Sequence, residues 1–157
     1  MKISVINLGL TQETYLKEGI AIFEKRIKHY IPFEMNYLNE ARKLKNQPEK
    51  IQKESEGKII LSAVEKIDHP VLLDVTGHQF DSGGFSRFIQ HSMNKGTRHL
   101  GFIIGGPYGF SDDVYNTVPE RMSISAMTFS HQMIRLIFLE QLYRAFTIIK
   151  GEPYHHA

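Results

Sequence analysis

The 157-residue chain contains no cysteine, an absence that removes disulfides, thiolate metal ligands and cysteine nucleophiles together. It suits a reducing compartment, and a cytoplasmic location is the expectation. Long apolar runs are missing as well: the longest, Leu136 to Leu139, falls far short of a membrane helix. The opening MKISVINLGL has one lysine and a short, strand-like apolar stretch, so no signal peptide is expected. No two histidines stand at helical i, i+4 spacing, and His155-His156 are adjacent in a tail, so no metal is expected. Neither sign of charge dominates. A net charge of +2 and a pI near 8.8 permit an anionic partner without demanding one.

What is present fits one domain spanning 1–157, since a chain of this size buries about 70% of its unfolded surface. The pattern alternates strand and helix: strand Lys2 to Leu8, helix Thr11 to Tyr30, strand Phe33 to Leu38, and a charged helical stretch from Glu40 to Lys66 with Pro48 as a first-turn proline. The apolar run Pro70 to Val75 reads as a buried strand ended by Thr76-Gly77, followed by a helix from Ser82 to Lys95. Strand Leu100 to Ile104, a short helix capped by Ser111, strand Arg121 to Ser125 and a final helix capped by Thr128 or Ser130 and ended by Gly151 complete the chain. Such alternation predicts an α/β fold with a mostly parallel sheet flanked by helices. Basic residues crowd Arg42, Lys43, Lys45, Lys50, Lys53 and Lys58, just after Lys25, Arg26 and Lys28. A solvated helix face and an RNA-contacting surface both account for such a run.

In open α/β sheets, ligands bind beyond the carboxyl ends of the strands. Three such ends carry unusual loops: Thr76-Gly77-His78, Gly105-Gly106-Pro107-Tyr108-Gly109, and Ala126-Met127-Thr128-Phe129. The paired glycines admit a close backbone approach, yet the loop is neither a Walker A sequence nor GxGxxG. Together with Leu73 and Met127, Gly105 suits an apolar slot closed by backbone amides, fit for an adenine. Absence of lysine from all three loops argues against a nucleoside triphosphate.

The final helix is apolar nearly all round, from Met133 to Ile149, and so must be buried on more than one side. Within it Glu140 and Arg144, and likewise His131 and Arg135, stand one turn apart. Surface ion pairing is one reading. A functional interface is the other, because charges on so apolar a helix must be paired.

Taken together, GGPYG at 105–109, MTFSHQ at 127–132, EQLYRA at 140–145 and GEPYH at 151–155 closely resemble the ribosomal RNA large subunit methyltransferase H family of the SPOUT class. The resemblance covers the whole chain. It implies a homodimer with a deep C-terminal trefoil knot, which the general scarcity of knots would not have led one to draw. It also implies methyl transfer from S-adenosyl-L-methionine, without a metal, to N3 of a pseudouridine in 23S rRNA, on the ribosome. Cofactor contacts then fall on Leu73, Gly105, Ile124, Ser125, Ala126, Met127, Thr128 and Phe129. The resemblance places Tyr154, His155, Arg144 and Glu140 at the reacting base, with Arg135 a weaker candidate. Two other readings stand beside it: a noncatalytic ribosome-binding or RNA-binding factor working through Arg42 to Lys58, and a methyltransferase with a different RNA acceptor.

Overall fold

The computed structural model describes residues 1–40 and 46–156. Five parallel strands form one sheet: β1 (Lys2–Leu8), β2 (Phe33–Leu38), β3 (His69–Gln79), β4 (His99–Ile104) and β5 (Arg121–Ser123), in the order β2-β1-β4-β3-β5. The helices between them are α1 (Thr14–Ile27), α2 (Glu49–Val64), α3 (Ser82–Asn94), α4 (Asp112–Thr117) and α5 (Met133–Lys150). Helices α1 and α3 each pack on α5, and α2 packs on α4.

Strand periodicity divides the core accordingly, because successive side chains face opposite sides of the sheet. Ile3, Val5, Val71, Leu100 and Phe102 join Ile20, Phe85 and Phe138 in one buried cluster, while Ile6, Leu8, Leu72 and Ile103 join Ile60, Val64 and Val114 in the other. Phe102 and Phe138 are wholly buried with ring centroids 4.7 Å apart, and each contributes about 2 kcal/mol through burial.

Local signals end the elements where polar side chains can take up free amides. Asp81 accepts from the Gly84 amide at the start of α3, and Ser111 accepts from Val114 at the start of α4. Ser130 Oγ accepts from the Met133 amide at 3.1 Å, so of the two residues expected to cap the last helix it is Ser130 whose side chain takes up its first amide, although Gln132 is the residue just before the helix. Gly151, with φ of 68°, closes that helix.

Several boundaries differ from the sequence reading: α1 ends at Ile27 instead of Tyr30, and β5 at Ser123 instead of Ser125. Helix α1 begins at Thr14, because Thr11 is buried and accepts a hydrogen bond from Arg135. Helix α2 begins only at Glu49, so of the basic run Lys50, Lys53 and Lys58 lie on it; Arg42, Lys43 and Lys45 lie outside the described residues. The expected loop Thr76-Gly77-His78 is instead strand. β3 slips register after Leu73 and pairs again through His78 and Gln79 with Met122 and Ser123. A Cβ on Gly77 would stand 2.5 Å from the Met122 backbone nitrogen, so glycine serves there for close contact with β5 rather than for a turn.

Candidate cofactor cleft and C-terminal cluster

The carboxyl ends of β3, β4 and β5 surround a cleft of about 660 Å³, a size that suits a small organic ligand. Of the residues expected to hold a cofactor, Leu73, Gly105, Ile124, Ser125, Met127, Thr128 and Phe129 all line it, and Ala126 belongs to the same turn without forming the wall. That turn is held by serines. Ser123 Oγ donates to the Ser125 carbonyl at 2.9 Å, and Ser125 Oγ accepts from the Met127 amide at 3.0 Å. Met127 stands 75% exposed at the rim. No lysine or arginine lines the cleft among the described residues, and Leu73, Ile104, Phe110, Met122, Ile124 and Ile134 make much of its wall apolar.

Two polar features of the wall were not singled out from the sequence. Asp74 Oδ1 accepts from the Thr76 amide at 2.8 Å and hydroxyl at 2.6 Å, and Tyr115 donates to Oδ2 at 2.5 Å. Burial disfavours the Asp74 carboxylate, but these hydrogen bonds outweigh it and hold the carboxyl below its usual range. Burial also pushes the Tyr115 hydroxyl up, to about 12, with Asp74 adding to the rise. A lone aspartate inside the apolar run PVLLDV was the available signal. His131 also lines the wall, its pKa lowered first by burial and then by the Arg135 charge. Arg135 itself is wholly buried: it donates to the Leu8 carbonyl at 2.7 Å and to Thr11 Oγ1 at 3.0 Å, so it ties the end of β1 to α5.

The four residues expected at the reacting base form one cluster on the last turns of α5 and the tail. Glu140 Oε1 accepts from Arg144 Nη2 at 2.6 Å and Nε at 3.1 Å, and from the Tyr154 hydroxyl at 3.1 Å. The Arg144 guanidinium lies 4.9 Å from the Tyr154 ring centroid, and its Nη1 is 3.4 Å from His155 Nδ1. Burial, then the Glu140 carboxylate, raises the Tyr154 pKa. The tail is drawn back over α5 by an amide hydrogen bond from Glu152 to the Thr147 carbonyl at 2.8 Å, and Tyr30 donates to the Glu152 carboxylate at 2.5 Å. Tyr30 in turn stacks on Phe146, and Tyr143 packs edge-on against Tyr154 at 4.7 Å.

Within one chain this cluster does not line the cleft. Between them along α5 runs a half-buried stripe of Ile134, Ile137, Gln141, Arg144 and Ile148, spaced by three and four residues as a helix–helix seam is. Ile134 belongs to the cleft wall, Gln141 accepts from Ser82 Oγ at the start of α3 at 3.2 Å, and Arg144 belongs to the cluster. The helix therefore buries Phe138, Leu139, Leu142, Ala145 and Phe146 fully and this stripe only partly.

A parallel α/β sheet with its ligand cleft in the loops just before the last helix defines the class: the family model described as predicted SPOUT methyltransferase matches residues 1–155, and the chain belongs to that family. Among curated relatives, the ribosomal RNA large subunit methyltransferase H of Christiangramia forsetii is 51% identical over 99% of both chains. The protein of the same name from Parabacteroides distasonis is 49% identical with the same coverage. Among solved structures, a probable methylase family protein from Haemophilus influenzae superposes with a TM-score of 0.54 at 9% identity, over 95% of this chain and 66% of its own. That likeness bears on the fold alone.

Proposed function

We propose that the protein is a homodimeric methyltransferase that takes its methyl group from S-adenosyl-L-methionine and places it on N3 of a pseudouridine in 23S rRNA, on the ribosome. The observation that carries this reading is the division of the site. An apolar cleft lies at one end of the α5 stripe and a charged cluster at the other, so a second protomer laid along the stripe brings the two halves together. Relatives that match along their full length and are named for large-subunit rRNA methylation support the substrate. The trefoil knot belongs to the same reading, and what supports it is the match of residues 1–155 to the SPOUT family model.

The cleft fits the cofactor on this chain's own features: an apolar slot and the serine-held turn at 123–127, with no lysine or arginine lining it among the described residues. Leu73, Gly105 and residues 124–129 would hold it, and bound there it supplies an activated methyl group. What the protein must add is alignment and the handling of one proton. N3 of pseudouridine is an imide nitrogen between two carbonyls, and it becomes a good nucleophile when its proton leaves. His155 takes that proton, Arg144 faces the negative charge that develops on the ring oxygen, Glu140 fixes Arg144, and Tyr154 packs on the base. Because an arginine only donates, His155 Nδ1 is the acceptor in the Arg144 contact and the ring proton sits on Nε2. To serve as base, Nδ1 must turn from Arg144 to the substrate, and the 3.4 Å separation makes that contact a weak one to give up.

The test is direct. Ribosomes from a strain lacking the gene are incubated with the protein and methyl-labelled S-adenosyl-L-methionine, and the rRNA is mapped by mass. A methyl on N3 of a 23S pseudouridine is expected. Binding to ribosomes without transfer to any RNA would favour the noncatalytic factor, and label only in tRNA would overturn the substrate.

A further inference from the structure

Glu56, on α2, is 4% exposed, a depth at which a carboxyl group is normally paired. Its side chain reaches the loop that follows β4. Oε2 lies 2.8 Å and Oε1 3.2 Å from where a Cβ on Gly106 would stand, so the carboxyl fills the space any side chain at 106 would need. Gln52 donates to Oε1 at 3.0 Å, whereas Oε2 is buried with no hydrogen-bond partner among the described residues. Burial raises the Glu56 pKa, the Gln52 hydrogen bond works against that, and the Glu40 carboxylate adds to it. Burial thus works against the charged form of this carboxyl. On the opposite side the same loop, 105–109, forms a wall of the cleft, to which Glu56 does not itself contribute.

We propose that Glu56 is a positioning residue for cofactor binding: it braces the Gly105 to Gly109 loop from behind, and its free carboxyl oxygen hydrogen-bonds the loop backbone when the loop closes on S-adenosyl-L-methionine. The inference rests on the cleft being the cofactor site. An unpaired buried oxygen is costly. Relieving that cost on closure adds to the free energy of binding, and it is absent from any variant that fills the space without a polar atom.

The experiment compares the wild-type chain with Glu56→Gln, Glu56→Leu and Gly106→Ala, measuring S-adenosyl-L-methionine affinity by calorimetry and amide exchange of residues 105–110 with and without it. Glutamine keeps a polar atom facing the loop, and affinity stays near wild type. Leucine keeps the volume and loses the hydrogen bond, so affinity falls about tenfold, and the protection that the cofactor confers on the loop is lost while the variant stays folded. Alanine at 106 collides with the carboxyl and weakens binding to a similar degree. A leucine variant with wild-type affinity and wild-type loop protection overturns the inference alone. If that variant does not fold, normal binding by Gly106→Ala overturns it equally. A wild-type chain that fails to bind the cofactor overturns the cleft reading and the inference with it.

Discussion

The cleft and the C-terminal cluster are built on opposite plans. Backbone and apolar side chains make the cleft, and its polar groups are closed on one another: Asp74 by Thr76 and Tyr115, Ser125 by the Met127 amide. Side chains make the cluster, and three of its four hydrogen bonds converge on the single oxygen Oε1 of Glu140. An apolar slot binds chiefly by shape. A charged cluster whose members share one acceptor can change partners when a substrate anion arrives, which is what proton handling requires. One region holds and the other reacts, and α5 carries the edge of each.

That comparison breaks most completely at the seam between the two regions. Ile137→Asp places a charge in the half-buried stripe, and methyl transfer should fall to background while sedimentation shows a monomer. A stable monomer with full transfer would show that one chain suffices. His155→Ala strikes only the reacting region: turnover should fall about a hundredfold with cofactor affinity unchanged. Loss of cofactor affinity instead would mean that the two regions are not separable. Glu140→Gln keeps the shape but removes the charge that anchors Arg144, so turnover should drop about tenfold. Equal turnover in that variant would make the ion pair a bystander.

How far this division could be read from the sequence depended on how local each signal was. Glu140 and Arg144 stand four residues apart on a helix, and their pairing follows from helix geometry. The strands β1 and β2 were legible from alternation and β4 from its apolar run, with Gly9, Pro32 and Gly105 marking their ends. Thr76-Gly77 misled because the dipeptide has the composition of a turn, and its true reason, the backbone of Met122 lying against it, comes from residues far along the chain. Arg135 was legible as a charge on an apolar helix. Its partners, the Leu8 carbonyl and Thr11, sit at the other end of the sequence, and no spacing rule reaches them. Glu56 escaped notice for the same reason, as one acid among many in a charged segment whose burial only the packing of α2 against the loop reveals.

The smallest expected effect concerns the holding region and tests whether its polar groups serve stability. Asp74 is held below its ordinary range in the folded chain because, against burial, the Thr76 and Tyr115 hydrogen bonds favour the charged form. A carboxyl whose folded pKa lies below its unfolded value near about 4 stabilises the fold fully above that pH and loses the contribution as pH falls through the folded pKa. Asp74→Asn leaves the Tyr115 hydroxyl facing an amide that cannot pair with it equally well, and it should lower the melting temperature by about 3 °C at neutral pH. Scanning melts from neutrality down to about pH 3 should bring the two chains together, because the wild-type advantage disappears as Asp74 takes up its proton. A gap that stays constant across that range would mean that the charge contributes nothing and that Asp74 serves the cleft by shape alone.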